Sequence, residues 1–355
     1  MTDLLAMTAE LVDFPSVSFA EGAFADWVEA ELRAVPHLSV DRVGDNVVAR
    51  TTLGRGTRIV LGGHLDTVPV NDNATARIEG DTLHGLGSAD MKGGLAVMLH
   101  LARTVAEPVH DVTYVFYARE EVAVEHNGLR ELFHERPDLL EADLAVLGEP
   151  TSAAIEAGCQ GTLRVVITFT GARAHTARGW MGRNAVHRLG DVLRTIAAYE
   201  PRQPVVDGCR YHEGLQAVFV EGGVAGNVVP DVATLKLNHR FAPDRSADDA
   251  VAHVRAIVEP YLEPGDSFEI EDLSPGARPG LDHPVFAGLV ARNNIEVRAK
   301  LGWTDVAFFS ERGIPAINLG PGDATLAHTR AERLDRASLE ACWAALLDLL
   351  TVGPE

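Results

Sequence analysis

The chain has 355 residues, 46% of them hydrophobic and 23% charged, with a formal net charge of −20. That length supports two domains with separate cores, and the acidic balance argues against nucleic acid or an anionic membrane as partner. No apolar run reaches the roughly 18 residues of a membrane span, and the first residues lack the basic start and apolar core of a secretory signal.

Residues 3–13 read as an amphipathic helix, with Leu4, Leu5, Leu11 and Val12 on one face and the small Thr8 between them; 22–34 read as a second helix. VVART (47–51) and TRIVLGGHLD (57–66) read as strands, followed by a helix of small and apolar residues at 92–105. VTYVFYA (112–118) is a continuously apolar strand, a helix is expected near 128–133, and ADLAVLGEP (142–150) is a buried strand that runs into a carboxylate. Continuously apolar strands alternating with helices predict a mainly parallel α/β sheet covered on both faces. The pattern then changes. LRVVITFTG (163–171), a helix at 184–199, the alternating strands LQAVFVEGG (215–223) and ATLKLNHRF (233–241), a helix at 246–262 and the strand SFEIED (267–272) make a β-α-β-β-α-β unit, the ferredoxin-like arrangement. SPGARPG (274–280) punctuates its end. Helices at 285–292 and 305–311, the strand IPAINLG (314–320) and a closing helix at 337–350 resume the α/β pattern. The expected fold is therefore an α/β catalytic domain from residues 1–160 and 275–355, interrupted by an inserted α+β domain at 161–274. Insertions of this kind are tolerated at exposed loops. The three cysteines, Cys159, Cys209 and Cys342, are too few and too scattered for a disulfide framework or a zinc finger. They read as small buried apolar residues of a protein from a reducing cytoplasm.

Five potential metal ligands stand at or just beyond predicted strand ends: His64 in GGHLDTVP, Asp90 in GLGSADMKGG, Glu121 in AREEVAVEHNG, Glu149 in VLGEP and His328 in GDATLAHT. In open α/β sheets, ligands collect beyond the carboxyl ends of the strands. One histidine and one carboxylate per ion, plus a shared carboxylate, would make a two-metal site. Nitrogen and oxygen donors without thiolate suit zinc, cobalt or manganese, and imidazole favours zinc. Without cations, clustered carboxylates would repel by roughly 4 kcal/mol per close pair, and at least one would take a proton. Asp66, two residues beyond His64, can accept from the imidazole's other N–H. Glu120, next to Glu121, can face an attacking water as general base. Each motif alone is ordinary: an HxD at a strand end, a solvated EE pair, a GEP turn, one histidine among 14. Their order along the chain, each beside a strand-like run, is what distinguishes them.

HLDTVP, GSADMKGG, AREE, LGEPT and the C-terminal AHT together resemble the M20 family of metallopeptidases and amidohydrolases, and the likeness runs over essentially the whole chain. The resemblance implies His64 and Glu149 on one ion, Glu121 and His328 on the other, Asp90 bridging, Glu120 as acid/base, Asp66 as partner of His64, and a cis peptide after Asp90. It also implies that His175, in the inserted domain, stabilises the oxyanion in the partner subunit's site of a homodimer. Arg240 in LNHRF resembles the family arginine that grips a substrate carboxylate, with Asn227 in GNVVP as its polar companion. Arg178 is a further candidate, in a segment reading HTARGW where many relatives have a proline-containing H-x-A-x-P, a departure that bears on the loop's conformation. Thr304, before a predicted helix, is a candidate for a second carboxylate. EAGCQGTLRV, AHTARGWMGRNAVH and LGWTDVAFF carry a closer likeness to a branch that removes succinate from an N-succinyl diamino acid. The alternatives are another N-acyl-amino-acid hydrolase or dipeptidase of the family and, from a different class, a metal-free binding protein on the same scaffold.

Overall fold

The computed structural model describes residues 3–353. The chain forms two compact units. One takes the chain up to Gly158, Pro279–Arg298 and everything from Asp305 onward; the other takes Cys159–Arg278 and Ala299–Thr304.

The first unit is built on an eight-stranded sheet. Its heart is four parallel neighbours in the order Asp111–Tyr117, Arg58–His64, Leu144–Leu147, Ala316–Asn318. Antiparallel strands flank it: Asn46–Arg50 and Ser39–Val43 on one side, Ile155–Ala157 on the other. Val297–Ala299 lies outermost, beyond Ile155–Ala157. The reason is visible in composition. All seven residues of Asp111–Tyr117 are buried, as are Ile59 to His64 and Leu144 to Leu147, which requires cover on both faces. Because these strands run parallel, they end on the same edge. His64 stands level with Tyr117, and Gly62 with Leu147, so the segments carrying His64, Glu120 and Glu149 emerge together.

The first helix, Leu4–Val12, is capped by Asp3, whose carboxylate accepts from the N–H groups of Leu5 and Ala6. Its buried face holds Leu4, Leu5, Leu11 and Val12, with Thr8 between them as the periodicity predicts, and Met7 besides. Glycines decide how closely the helix Gly93–Thr104 approaches the strand ends. A Cβ on Gly94 would lie 2.5 Å from the Gly148 carbonyl oxygen, and one on Gly63 would lie 2.4 Å from the Met91 methyl carbon. The glycines of GGH, KGG and GEP are therefore packing residues that let Asp90 reach the edge bearing His64 and Glu149.

The second unit holds a four-stranded antiparallel sheet in the order Gly214–Gly222, Val232–Phe241, Gly161–Thr170, Ser267–Ser274. This is the ferredoxin-like order. The helices Ala185–Ala197 and Ala247–Val258, capped by Asn184 and Ser246, close one face over Leu163, Val165, Ile167, Phe169, Leu235 and Leu237. A bidentate pair fastens the first helix to the far end of the unit: the Arg188 guanidinium meets the buried Asp266 carboxylate at 2.7 and 2.8 Å. Ala299–Thr304 joins this unit through Trp303, whose indole N–H donates to the Pro275 carbonyl at 3.1 Å, and through the Thr304 carbonyl, which accepts from the Cys159 thiol. Among the described residues no helix is long and apolar enough to cross a membrane.

Candidate active site

At the sheet edge of the first unit, Asp90 stands between two imidazoles. Its Oδ1 lies 3.1 Å from His64 Nε2, and its Oδ2 lies 3.5 Å from His328 Nε2. The peptide following Asp90 is cis. His328 Nε2 is also 2.8 Å from Glu121 Oε1. One donor atom each from His64, Asp90 and Glu121 falls within a mutual distance of 4.8 Å, close enough to share one cation or to serve two adjacent ones. Nitrogen and oxygen donors, a two-sided carboxylate and no thiol are the donor set of a hard-to-borderline divalent ion. Glu149 is buried just beyond Leu144–Leu147 and close enough for its charge to act on Glu120.

Around this cluster the electrostatics call for positive charge. The hydrogen bonds of Asp90 and Glu121 hold the His328 imidazole up to about 10. Burial acts to depress His64, but the carboxylates of Asp66 and Asp90 outweigh it and hold the ring well above its ordinary range. Burial would raise Asp90, yet the bonds from His328 and His64 keep it below the usual carboxylate range. Glu120 is pushed well above that range, first by burial and then by the charges of Asp305 and Glu149. A carboxylate poised this way is suited to giving a proton as well as taking one.

Asp66 does more than face His64. The imidazole Nδ1 is 3.0 Å from the Asp66 backbone carbonyl and 3.5 Å from its carboxylate. The carboxylate itself accepts from the N–H groups of Glu120 (3.0 Å) and Glu121 (3.1 Å) and from the Ser18 hydroxyl (2.7 Å). It thus organises the backbone of the acidic pair as well as the ring.

In the second unit, His175 and Asn227 come together. The backbones of His175 and Val228 bridge, and the Asn227 carbonyl accepts from Thr176 N at 3.0 Å. His175 Nδ1 accepts from Ala177 N at 3.1 Å and opens the turn Thr176–Met181, in which Arg178 is exposed. Arg240 lies half-buried on Val232–Phe241, and burial lowers its pKa. Thr304 is buried.

Four residues that the sequence analysis does not single out take part in the first unit's site. Asp305 is fully buried and pushed up to about 6 by burial, with the Asn127 amide donating to both its oxygens at 3.1 and 2.9 Å. Glu332 Oε1 accepts from the N–H groups of Ala89 and Asp90, both at 3.1 Å. Lys92, lowered to about 7 by burial, donates to the Phe14 carbonyl at 2.7 Å. Ser18 is the hydroxyl on Asp66. The only signals were adjacency: Asp305 follows Thr304, Glu332 follows AHT, and Lys92 sits within ADMKGG.

Known proteins share this chain's sequence and fold. The profile described as peptidase family M20/M25/M40 matches residues 60–352. A Mycobacterium tuberculosis protein provisionally named a succinyl-diaminopimelate desuccinylase is 53% identical over 342 residues, covering 96% of this chain and 95% of that one. The succinyl-diaminopimelate desuccinylase of Corynebacterium glutamicum is 47% identical over 337 residues, covering 93% and 91%. Among solved structures, a tripeptidase from Staphylococcus aureus superposes with a TM-score of 0.81 at 20% identity, covering 99% of this chain and 97% of that one, which shows the fold.

Proposed function

The chain belongs to peptidase family M20/M25/M40, and from that premise we propose that it hydrolyses the amide of N-succinyl-L,L-2,6-diaminopimelate to succinate and L,L-2,6-diaminopimelate. The observation that carries the chemistry is Asp90 offering one oxygen toward each of two imidazoles, with Glu121 and Glu120 alongside. The choice of substrate rests on nearly full-length likeness to two relatives that carry that name.

In this reading His64 and Glu149 would hold one divalent ion, Glu121 and His328 would hold the other, and Asp90 would serve both; zinc would suit the donors best, with cobalt or manganese next. Bound there, the ions would polarise the amide carbonyl and lower the pKa of water toward about 7. Glu120 takes the proton of the attacking water on its carboxylate and delivers it to the leaving amine nitrogen as the C–N bond breaks. Asp66 holds the backbone of Glu120 and Glu121 and backs the His64 ring. His175 donates to the developing oxyanion, acting in the site of a second copy of the chain. Arg240, with Asn227, binds a substrate carboxylate through the fork geometry that lysine lacks. Arg178 and Thr304 are the candidates for the remaining carboxylate.

A homodimer through the second unit is part of the reading. Its edge strand Gly214–Gly222 exposes Val218, Phe219 and Val220, and an uncovered apolar edge invites pairing with another strand. Three buried free cysteines support the expected cytoplasmic setting.

The test is turnover by purified, zinc-loaded protein on N-succinyl-L,L-diaminopimelate beside N-acetylornithine, with and without a chelator. Succinate release that the chelator abolishes is expected. Faster cleavage of N-acetylornithine would move the assignment to the deacetylases, and activity indifferent to the chelator would remove the metal chemistry.

A further inference from the structure

We propose that Glu21 is a positioning residue for the catalytic turn at 119–121, acting through a backbone N–H; the inference rests on the roles given above to Glu120 and Glu121.

Glu21 stands just before the helix Gly22–Arg33, where a short polar side chain would ordinarily cap the helix. Its carboxylate makes no capping bond. It is fully buried, and Oε1 accepts from Arg119 N at 3.1 Å. The next two N–H groups, of Glu120 and Glu121, are taken by Asp66. Three consecutive amides of the catalytic turn therefore point at two buried carboxylates from distant parts of the chain.

Arg119 needs that support. Its φ of +63° lies in the left-handed region, which is unfavourable for a residue with a side chain and persists only where surroundings hold it. The guanidinium adds further holds, donating from Nε to the His126 carbonyl at 2.8 Å and pairing with Glu131. The side-chain directions of Glu120 and Glu121 follow from the backbone at Arg119.

The two carboxylates are themselves coupled. Ser18 Oγ donates to Asp66 Oδ2 at 2.7 Å, Ser18 N donates to the Thr67 carbonyl, and Thr67 N donates to the Ser16 carbonyl. The segment carrying Ser18 and Glu21 is thereby laid against the strand end carrying His64 and Asp66. Glu21 thus sets the base and one ligand without touching ion or substrate.

Glu21→Ala, Glu21→Gln and Ser18→Ala are to be compared with the parent protein for kcat, KM, zinc affinity by competition with a chromogenic chelator, and thermal melting. Glu21→Ala is expected to lower kcat and zinc affinity each by about 10–100-fold, the range typical for partners behind a metal ligand, with KM unchanged. Glu21→Gln keeps an oxygen that can accept the Arg119 N–H and is expected to retain most of both. Ser18→Ala is expected to lower kcat severalfold. Parent-like kcat and zinc affinity in Glu21→Ala overturn the proposal, as does Glu21→Gln falling as far as Glu21→Ala. Should Glu21→Ala fail to fold, the glutamine variant and Ser18→Ala decide, and loss in the first or parent-like behaviour in the second overturns it. Glu120→Gln runs alongside. If that variant is fully active the base assignment falls, whereas the effect of Glu21 on zinc affinity still reports on Glu121.

Discussion

In the first unit His64, Asp66, Glu149, Asp305 and Glu332 are buried around the ends of parallel strands, whereas in the second His175, Arg178 and Asn227 stand exposed on loops beside an antiparallel sheet. The difference follows from architecture. Parallel strands end on one edge, so groups from distant stretches of chain converge there, and their charges must be balanced by cations or by protons. The antiparallel sheet keeps its interior apolar but for His239, and its remaining polar chemistry is left to turns that can meet a ligand or a second chain. Under the proposed function, the first unit would perform the reaction and the second would recognise the substrate and complete the site.

The sharpest way to break that contrast is to disable the base. Glu120→Gln should lower kcat by about 10²–10⁴ while metal content, measured by elemental analysis, stays at the parent value. Full activity would return the reaction to some other group. His175→Ala should cost about 10²–10³ in kcat, the typical loss for one oxyanion donor. If His175 serves the site of a second chain, mixing inactive Glu120→Gln and His175→Ala proteins should restore part of the activity; no recovery in mixed dimers would place His175 outside the partner's site.

Arg240→Met should raise KM for the anionic substrate by roughly 10–100-fold, as expected for losing charged hydrogen bonds, with a smaller change in kcat. An unchanged KM would remove Arg240 from recognition.

The smallest effect concerns stability. His239 replaces an apolar residue in the inward alternation of Val232–Phe241, and burial pushes it down to about 4, with Glu213, Arg245 and His253 as the charged or titratable groups around it. The unfolded chain takes up this proton near the ordinary histidine pKa, while the folded chain resists until near 4. Stability is therefore lost as pH falls between those values. Between pH 7 and 5.5 this amounts to about 1 kcal/mol. Denaturant melts at the two pH values should show that loss, and His239→Leu should reduce it; an equal loss in the variant would assign it elsewhere.

Much of this organisation was legible from pattern. Continuous apolar runs such as 112–118 marked the buried parallel strands, and strict alternation in 233–241 marked the half-covered sheet of the second unit. The short strands Ser39–Val43, Ile155–Ala157, Val297–Ala299 and Arg333–Asp335 left little trace, because three to five residues are too few to establish a period. The same holds for Ala299–Thr304, which joins the second unit by two backbone-directed contacts rather than by any feature of composition. Asp305, Glu332 and Glu21 were missed for another reason: a carboxylate that accepts from a donor far along the chain, a backbone N–H for Glu332 and Glu21 and the Asn127 side-chain amide for Asp305, has no partner in its own neighbourhood.

The amino-acid order by itself determined the strand-and-helix alternation, the insertion of one domain in another, and the set of acids and imidazoles with a motif around them, since each depends on local periodicity or spacing. Only the tertiary structure decided that Asp90 faces His64 with one oxygen and His328 with the other, and that Asp66 and Glu21 gather the amides at 119–121. Those contacts join segments up to 238 residues apart (328 − 90), a distance over which geometry is set by the packing of the sheet.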